Sequence, residues 1–558
     1  MSRYDKPYPT SMVGRYHRDH ADIVIVGNGI AGLTAALESR RLAPHLGIVV
    51  ITEQSHPTVN TPSLKQFLVG KLKREQLLAY PAGTEREQDI QVIYGRVEAI
   101  DAQSKSVYLN DGFCLGYTSL LIATGSVATG LSAHLPGYDF DGVLVLHRLR
   151  DYLDLRRRLH EVDEAVVIGS GAHAAETVAS LIELDISVHW LIRGKTALSH
   201  TLDQSASDML LQHVRAAGAK VYTETEVLGI VGRVGVVAGI IDNRREMIPC
   251  QVVLVCTGTA PVTALAEHCN PPMLHDHGIL VDNQLRTSVP GVYAAGDVAA
   301  LKNPQTGNYE TRRQWYAAVE QGRTAAAVMT GQDTSMSPPF GVPWHATRLG
   351  KLAMLTVGGG WTGQVTTLID KGRDSYRRMS VSGDRLVGYL SLGPAHPDGF
   401  VIKHLIDEAR SIRDIRDALL KGTLDAHTYF SQRCARAIYD MMTTESVPTR
   451  SEPAIGSPAT AYPSHQTDPL TPLPGRSNVG KPPYSETIHP TYTPGYAQST
   501  MQPGKTRTGL PSYYHPALPK TIGGTRLIVS PRLGSNPSPQ SLWSYVPGKD
   551  PLLQEEGE

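Results

Sequence analysis

Two glycine-rich turns constrain this chain more than any other feature: GNGIAG from Gly27 to Gly32, and GSGAHA from Gly169 to Ala174. Each closes an apolar, β-branched run, Ala21 to Val26 in the first case and Ala165 to Ile168 in the second. Runs of this kind fit parallel strands buried on both faces. Helical patterns follow, from Ile30 to Arg41 and from Ala172 to about Leu184, and second strands are expected at Gly47 to Thr52 and Ser187 to Ile192. The chain therefore reads as two βαβ units. A glycine turn between strand and helix offers unpaired backbone N–H groups and the positive end of the helix dipole to a phosphate. The repeat implies two dinucleotide sites, and a chain that fixes one dinucleotide while exchanging another can move a hydride between them.

In the first turn Gly27 permits the bend, Gly29 lets the backbone approach a pyrophosphate, Ile30 and Ala31 open the helix, and Gly32 lets that helix pack on the strand. Glu53, at the end of the second strand, can accept hydrogen bonds from ribose hydroxyls. In the second turn Gly169 and Gly171 take the first two roles, and Ala174 replaces the third glycine. The strand that follows ends in Arg193 where an acid suits NAD; an arginine there pairs with a 2′-phosphate and leans the reading towards NADPH. The plainer alternative for Arg193 is a solvated strand-end charge. Glu176 is either a first-turn acid favoured by the helix dipole or a residue facing the nicotinamide side of a cleft.

Composition narrows the partners. Lys+Arg and Asp+Glu number 53 each among 558 residues, so the formal net charge is zero and no basic nucleic-acid surface is implied. Five cysteines, at 114, 250, 256, 269 and 434, lack the spacing of a metal site, an iron–sulfur cluster or a disulfide framework, so no metal is expected. The first twenty residues are polar, and no stretch reaches the length of a transmembrane segment, which predicts a soluble, cytoplasmic protein. The length exceeds what one core serves. A hairpin is expected over Ser106 to Tyr117, covering one face of the first sheet and followed by a strand from Ser119 to Ala123. From about Val342 the strand-like segments Lys351 to Val357, Tyr376 to Val381 and Arg385 to Leu392 suggest a separate α+β domain. After Glu445 the chain holds 20 of its 38 prolines and reads as a disordered or extended tail, with TRLIVS and LWSYV its only short apolar segments.

With LLIATGS around Thr124 and Gly125, VCTGTAP around Thr257 and Gly258, TSVPGVYAAGDVA containing Gly296 and Asp297, and WYAAVEQGRTAA from Trp315, the chain resembles the FAD-dependent pyridine nucleotide oxidoreductases. The resemblance runs over roughly residues 20 to 335. It is greatest to the branch of rubredoxin and ferredoxin reductases and the flavoprotein portion of NADH-dependent nitrite reductase. It implies an α/β fold with two Rossmann-like domains, for FAD (21–145 and 267–335) and for NAD(P) (146–266). An extension (1–20), a small C-terminal α+β domain (338–445) and a Pro-rich disordered tail (446–558) complete the expected order. The first turn and Glu53 would hold the adenosine half of FAD, and Asp297 its ribityl chain. Thr124 and Gly125 would mark the crossover between domains.

The flavin-side motif of the family, written around Arg-Pro-Leu and followed by Ser-Lys, stands here as NTPSLKQFLVG, with Thr61 where arginine is usual and Gln66 beside Lys65. Lys65 is the candidate for the cation that approaches flavin N5 and stabilises negative charge on the reduced ring; otherwise it is a surface lysine on the first turn of a helix. The CxxxxC pair of disulfide reductases is missing, and the lone cysteines read as buried structural thiols. VPWHATRLGKL resembles the C-terminal segment that closes over the flavin or forms a homodimer contact, with Trp344 and His345 as flavin-facing candidates. The expected function is an FAD-dependent NAD(P)H oxidoreductase, passing hydride from nicotinamide to FAD and then electrons to a small electron-carrier protein or small oxidant. The rival is a flavin-bound redox switch that recruits a partner through its tail.

Overall fold

The computed structural model describes residues 19–303, 306–332, 341–358, 364–394 and 399–425, with Tyr429, Ser431 and the backbone at 527–528 and 544–545. Strand β1 (His20–Val26) leads into helix α1 (Ile30–Leu42) and strand β2 (Ile48–Thr52). The short helices α2 (Leu64–Leu68) and α3 (Thr84–Glu87) precede β3 (Gln91–Tyr94), and β1, β2 and β3 lie side by side in parallel. Every β2 residue is buried, as its unbroken apolar IVVIT run requires of a strand covered on both faces.

Strands β4 (Val97–Asp101), β5 (Ser106–Leu109) and β6 (Cys114–Ile122) form an antiparallel meander that returns the chain to the far side of β1. This corrects the sequence expectation of a hairpin lying over one face: the hairpin extends the sheet edgewise. Its second strand and the strand expected from Ser119 are one continuous nine-residue element. Cys114 to Gly116 pair with β5, whereas Leu120 to Ile122 pair with a strand that arrives much later in the chain.

Leaving this sheet through β7 (Ser126–Ala128), the chain builds a second one from β8 (Val143–Val145), helix α4 (Leu149–Arg158), β9 (Glu164–Ile168), helix α5 (Ala172–Glu183), β10 (Ser187–Ile192), helix α6 (Gln204–Ala216) and β11 (Lys220–Thr223). A three-stranded meander, β12 (Val227–Arg233), β13 (Val236–Asp242) and β14 (Met247–Pro249), precedes β15 (Val252–Val255). The second sheet is wholly parallel, in the order β11-β10-β9-β15-β8. The chain then returns through β16 (Thr259–Pro261), which pairs antiparallel with β7, so that the outgoing and incoming crossings form one two-stranded ribbon.

Helix α7 (Ala264–Glu267) and β17 (Cys269–Asn270) follow, and β17 lengthens the first sheet beyond β4. Strands β18 (Ile279–Val281), β20 (Ala299–Lys302) and β21 (Tyr309–Thr311) form a small separate sheet, while β19 (Val292–Ala294) inserts beside β6. Helix α8 (Trp315–Met329) packs closely on α1, where a Cβ on Gly322 would stand 2.5 Å from the Ala31 carbonyl oxygen.

A five-stranded antiparallel sheet follows, β22 (Trp344–Leu349), β23 (Leu352–Gly358), β24 (Thr366–Lys371), β25 (Tyr376–Ser382) and β26 (Arg385–Gly393), in the order β22-β23-β26-β25-β24. Helices α9 (Gly399–Asp407) and α10 (Arg416–Lys421) accompany it. Leu349, Met354, Tyr376 and Leu392 share one apolar core with Leu210 and Val214 of α6. Asp203, which caps α6, accepts hydrogen bonds from the Tyr376 hydroxyl at 2.6 Å and the Arg378 guanidinium at 2.7 Å. The same core takes in Val59, Leu64, Phe67, Leu68 and Leu77, although those residues lie between β2 and β3 in the chain.

In the C-terminal stretch Leu527–Ile528 pairs antiparallel with Ser544–Tyr545, within the two apolar segments singled out in the sequence. The rest of the expected tail lies outside the described residues. Residues 424–491 form a second unit, in which the Tyr429 amide donates to the Asp425 carbonyl oxygen at 3.0 Å.

Candidate functional site

One cleft of about 2250 Å³ is lined by both glycine turns. Its volume is well above the roughly 300–1,000 Å³ of an ordinary small-molecule site, and it suits two dinucleotides laid towards each other. Gly27, Gly29, Ile30, Ala31 and Glu53 line it from the first sheet, and Gly169, Gly171, Glu176 and Arg193 from the second. Thr124, Gly125, Gly258, Gly296, Asp297 and Lys65 also reach its wall. Two of the sequence candidates do not. Gly32 is an internal packing position, where a Cβ would meet the Gly27 carbonyl oxygen at 2.0 Å, and Ala174 is fully buried inside α5. For Ala174 this corrects the expectation of cofactor contact. The third place of the turn governs how helix and strand pack, and alanine is small enough to fill it.

The turns are built alike. Gly27 has φ +109° and Gly169 φ +141°, and a Cβ on either would lie 2.3 Å from a carbonyl oxygen of the neighbouring strand end, Ala123 or Cys256. No other residue type fits there. Nothing stands within 4 Å of the position a Cβ would take on Gly29 or Gly171, so the backbone is bare where a pyrophosphate would approach. Glu53 stands exposed at the end of β2, and Arg193 exposed at the end of β10. The two strand-end charges therefore occupy equivalent places in the two units and carry opposite signs.

Where the sheets face each other, Lys65 and Glu176 meet: Nζ lies 2.5 Å from Oε2, with both side chains largely buried. Glu176 thus faces the cleft, and Lys65 is no surface lysine. Burial works against charge on both, but the Glu176 carboxylate more than offsets it and holds the Lys65 ammonium above its ordinary value. Reciprocally, burial would raise Glu176, yet the Lys65 ammonium and the nearby His345 keep its carboxyl well below the usual range. His345 Nε2, from β22, is 3.4 Å from the other carboxylate oxygen. Burial, reinforced by the Lys65 charge, pushes His173 down to about 3, and its Nε2 sits 3.1 Å from the Leu146 carbonyl oxygen.

Asp297 faces the cleft beside the crossing ribbon. Its Oδ2 accepts a hydrogen bond from the Ser126 hydroxyl at 2.7 Å, and burial pushes its carboxyl up despite that bond. His147 Nε2 lies 3.0 Å from the Ser126 carbonyl oxygen, and the Thr124 hydroxyl donates to the Val262 carbonyl oxygen at 3.0 Å. Thr124 and Gly125 thus directly precede the ribbon that joins the two sheets. Sequence reasoning missed His147 and Tyr152, for which no local motif gives a signal, and passed over Ser126 although LLIATGS contains it. It also missed Asn28, whose amide donates to Glu85 of α3 at 2.8 Å across 57 residues of chain.

FAD and a nicotinamide dinucleotide fit this donor set. Asn28 Oδ1, Asn60 Oδ1 and Trp315 Nε1 are buried atoms on residues lining the cleft, and none has a hydrogen-bond partner among the described residues. Buried polar atoms left without partners are costly, so such atoms on residues that line a cleft mark where a ligand completes them. Among the described residues the thiols are free and form no disulfide: Cys250 and Cys256 are buried, and burial pushes them up to about 12 and about 11 respectively. Cys114 is exposed on β6, which corrects its reading as a buried thiol. Among the described residues no helix is long and apolar enough to cross a membrane.

Comparison with known proteins agrees with the geometry. The model of the pyridine nucleotide-disulphide oxidoreductase family matches residues 21–322. A probable ferredoxin reductase of Castellaniella defragrans is 30% identical over 328 residues, 58% of this chain and 78% of that protein. The ferredoxin–NAD(+) reductase subunit of the Pseudomonas putida benzene 1,2-dioxygenase system is 30% identical over 58% of this chain and 77% of its own length. Among solved structures, the ferredoxin reductase for the CYP199A2 system from Rhodopseudomonas palustris superposes with a TM-score of 0.62 at 25% identity, covering 67% of this chain and 91% of that one. Putidaredoxin reductase, in its covalent complex with putidaredoxin, reaches 0.65 at 23% identity, over 70% and 93%. The reductase relatives do not favour the redox-switch alternative. The chain belongs to the pyridine nucleotide-disulphide oxidoreductase family, as an FAD-dependent oxidoreductase of the branch that contains the ferredoxin and rubredoxin reductases.

Proposed function

We propose that this protein takes hydride from NAD(P)H onto FAD at the junction marked by Lys65 and Glu176, and passes the electrons to a separate ferredoxin- or rubredoxin-like carrier or a small oxidant. The observation that carries the reading is a single cleft walled by both glycine turns, with that ion pair between them. When bound, FAD supplies the chemistry that accepts a hydride and releases electrons. The protein contributes placement and field. Gly27, Gly29, Ile30, Ala31 and Glu53, with Thr124, Gly125, Gly296 and Asp297, hold the flavin dinucleotide. Gly169, Gly171, Gly258 and Arg193 hold the nicotinamide one. Lys65 presents fixed positive charge where negative charge develops on reduction, in a setting drier than bulk water. Glu176 keeps that ammonium charged and aimed. The cysteine sequence supplies no dithiol relay, so electrons leave the cofactor directly.

The same reading assigns 21–145 with 267–335 to the FAD module, 146–266 to the nicotinamide module and 338–445 to a C-terminal module that shields the flavin or meets a second copy in a homodimer. It places the protein in the cytoplasm and takes NADPH as the favoured donor, through Arg193. Anaerobic titration of the holoprotein with NADPH and with NADH tests the core of it. Bleaching of the flavin near stoichiometry by at least one is expected; a folded, yellow protein bleached by neither sinks the proposal. Reoxidation by a ferredoxin, a rubredoxin, quinones and oxygen, tried in turn, then ranks the acceptors. Replacing Arg193 with Ala should weaken NADPH about tenfold relative to NADH, a ratio read from kcat/KM for the two donors.

A further inference from the structure

The two glycine turns share a further correspondence, made by residues that lie outside them. Six residues past the end of β2, the Thr58 hydroxyl donates to the Asn28 carbonyl oxygen at 2.6 Å. Six residues past the end of β10, the Leu198 amide donates to the Ser170 carbonyl oxygen at 2.7 Å. Asn28 and Ser170 each stand between the first two glycines of their turn, so the same carbonyl is tied down in both units. Both donor residues are buried, and both are anchored in their turn. The Thr58 carbonyl oxygen accepts from the Ala79 amide at 2.8 Å. The Leu198 side chain belongs to the core shared with α6, and the preceding Ala197 amide donates to the Ser207 hydroxyl of that helix at 2.9 Å. Leu198 brings its amide to Ser170 with φ +52°, a conformation uncommon for a bulky side chain. In the second turn the Gly169 carbonyl oxygen is engaged as well, by Trp190 Nε1 at 2.7 Å.

We infer that Thr58 and Leu198 are equivalent positioning residues, each fixing the middle peptide of one glycine turn so that the turn meets its pyrophosphate with an N–H group. The inference rests on the proposed function above, in which the first turn takes FAD and the second the nicotinamide dinucleotide. A trans peptide is planar, so the C=O of Asn28 and the N–H of Gly29 point in opposite directions, as do those of Ser170 and Gly171. A bond that holds the carbonyl therefore also sets the direction of the following N–H. Those N–H groups belong to Gly29 and Gly171, where no side chain screens the backbone. Glycine on one side of the peptide leaves it free to rotate, and rotation would turn the negative end of the peptide dipole towards the phosphates. The ties differ in kind: a side-chain hydroxyl holds the flavin turn, and the main chain holds the nicotinamide turn.

The test compares wild-type holoprotein with Thr58→Val, which removes the hydroxyl, and Thr58→Ser, which keeps one. Thr58→Val is expected to raise the FAD dissociation constant about five- to tenfold, read from the fluorescence of flavin released on dilution, without changing KM for NADPH or NADH at saturating FAD. Thr58→Ser should recover most of the lost affinity. In the second unit Leu198→Pro removes the amide, whereas Leu198→Asn keeps it in a residue that tolerates positive φ. Leu198→Pro should raise KM for the nicotinamide donor about five- to tenfold while the FAD dissociation constant stays put, and Leu198→Asn should raise KM less. Should Leu198→Pro fail to fold, the Thr58 pair decides alone. Wild-type FAD affinity in Thr58→Val, or no recovery in Thr58→Ser, overturns the inference and leaves the oxidoreductase reading intact. So does a general loss of melting temperature in which each variant weakens both dinucleotides alike, the outcome of a merely structural tie. If NADPH and NADH both leave the wild-type flavin unbleached, the underlying reading fails and takes this one with it.

Discussion

Lys65 and Glu176 show how a buried ion pair becomes useful. Neither charge is cheap inside a protein, and the pair is retained because each satisfies the other. Replacing Glu176 with Gln strands a buried ammonium and should cost about 3–5 kcal/mol in urea unfolding, whereas Lys65→Met with Glu176→Leu together should recover most of that loss. Acid pH probes the same residues. The folded Glu176 carboxyl titrates below its unfolded value, so its contribution is complete above the ordinary glutamate range and lost as pH falls through the folded value. His173 acts over a wider window: neutral in the fold down to about 3, it is protonated in the unfolded chain below about 6.5, so stability falls steadily as pH drops from 6.5 towards 3. Melting temperatures taken across that window should fall less steeply in His173→Gln than in wild type. The glycines, Glu53 and Asp297 were legible as residues because their motifs are local. The partnership of Lys65 with Glu176 was not, since 111 residues of chain separate them and only the tertiary fold brings them together.

Secondary structure follows the sequence closely wherever a strand is buried on both faces, because such strands need unbroken apolar runs. The second strand of the second unit, Ser187–Ile192, lies where the sequence reading put it. The hairpin after β4 went astray for a physical reason: alternating residues specify that one face is buried, but not which edge pairs with what. Helix against helix, the α1–α8 contact depends on Gly322, which an amphipathic pattern does not single out. Gly322→Ala would force a methyl group against the Ala31 carbonyl oxygen, and the two helices would have to separate. We expect a loss of about 1–3 kcal/mol in denaturant unfolding, accompanied by weaker flavin retention on gel filtration, because Ala31 also lines the cleft.

Across the whole molecule, the third sheet is fastened to the nucleotide-binding layer. Asp203 takes two side-chain hydrogen bonds from β25 while capping α6, and His213 Nε2 lies 3.2 Å from the Leu349 carbonyl oxygen. Tyr376→Phe removes one of these bonds and should cost about 1 kcal/mol. In a double-mutant cycle with Asp203→Ala the two effects should fall short of additive by at least 0.5 kcal/mol. The sequence announced a change of character near Val342, and the resemblance of VPWHATRLGKL pointed it towards the flavin or a second copy, but nothing in the chain singled out α6 as the docking surface. That docking is decided by apolar faces on α6 and on β22, β23, β25 and β26, whose partners are distant in the chain.

One further consequence follows from where the segment carrying Lys65 is rooted. Leu64, Phe67 and Leu68 are sunk into the core beneath the second sheet, although the chain reaches them between two strands of the first. The lysine therefore travels with the layer that carries Glu176, like a hand gripping the far side of a door. Asp297, flanked by Ala295 and Val298 of the first sheet's core, is thus rooted on the other side of the cleft from the Lys65–Glu176 pair.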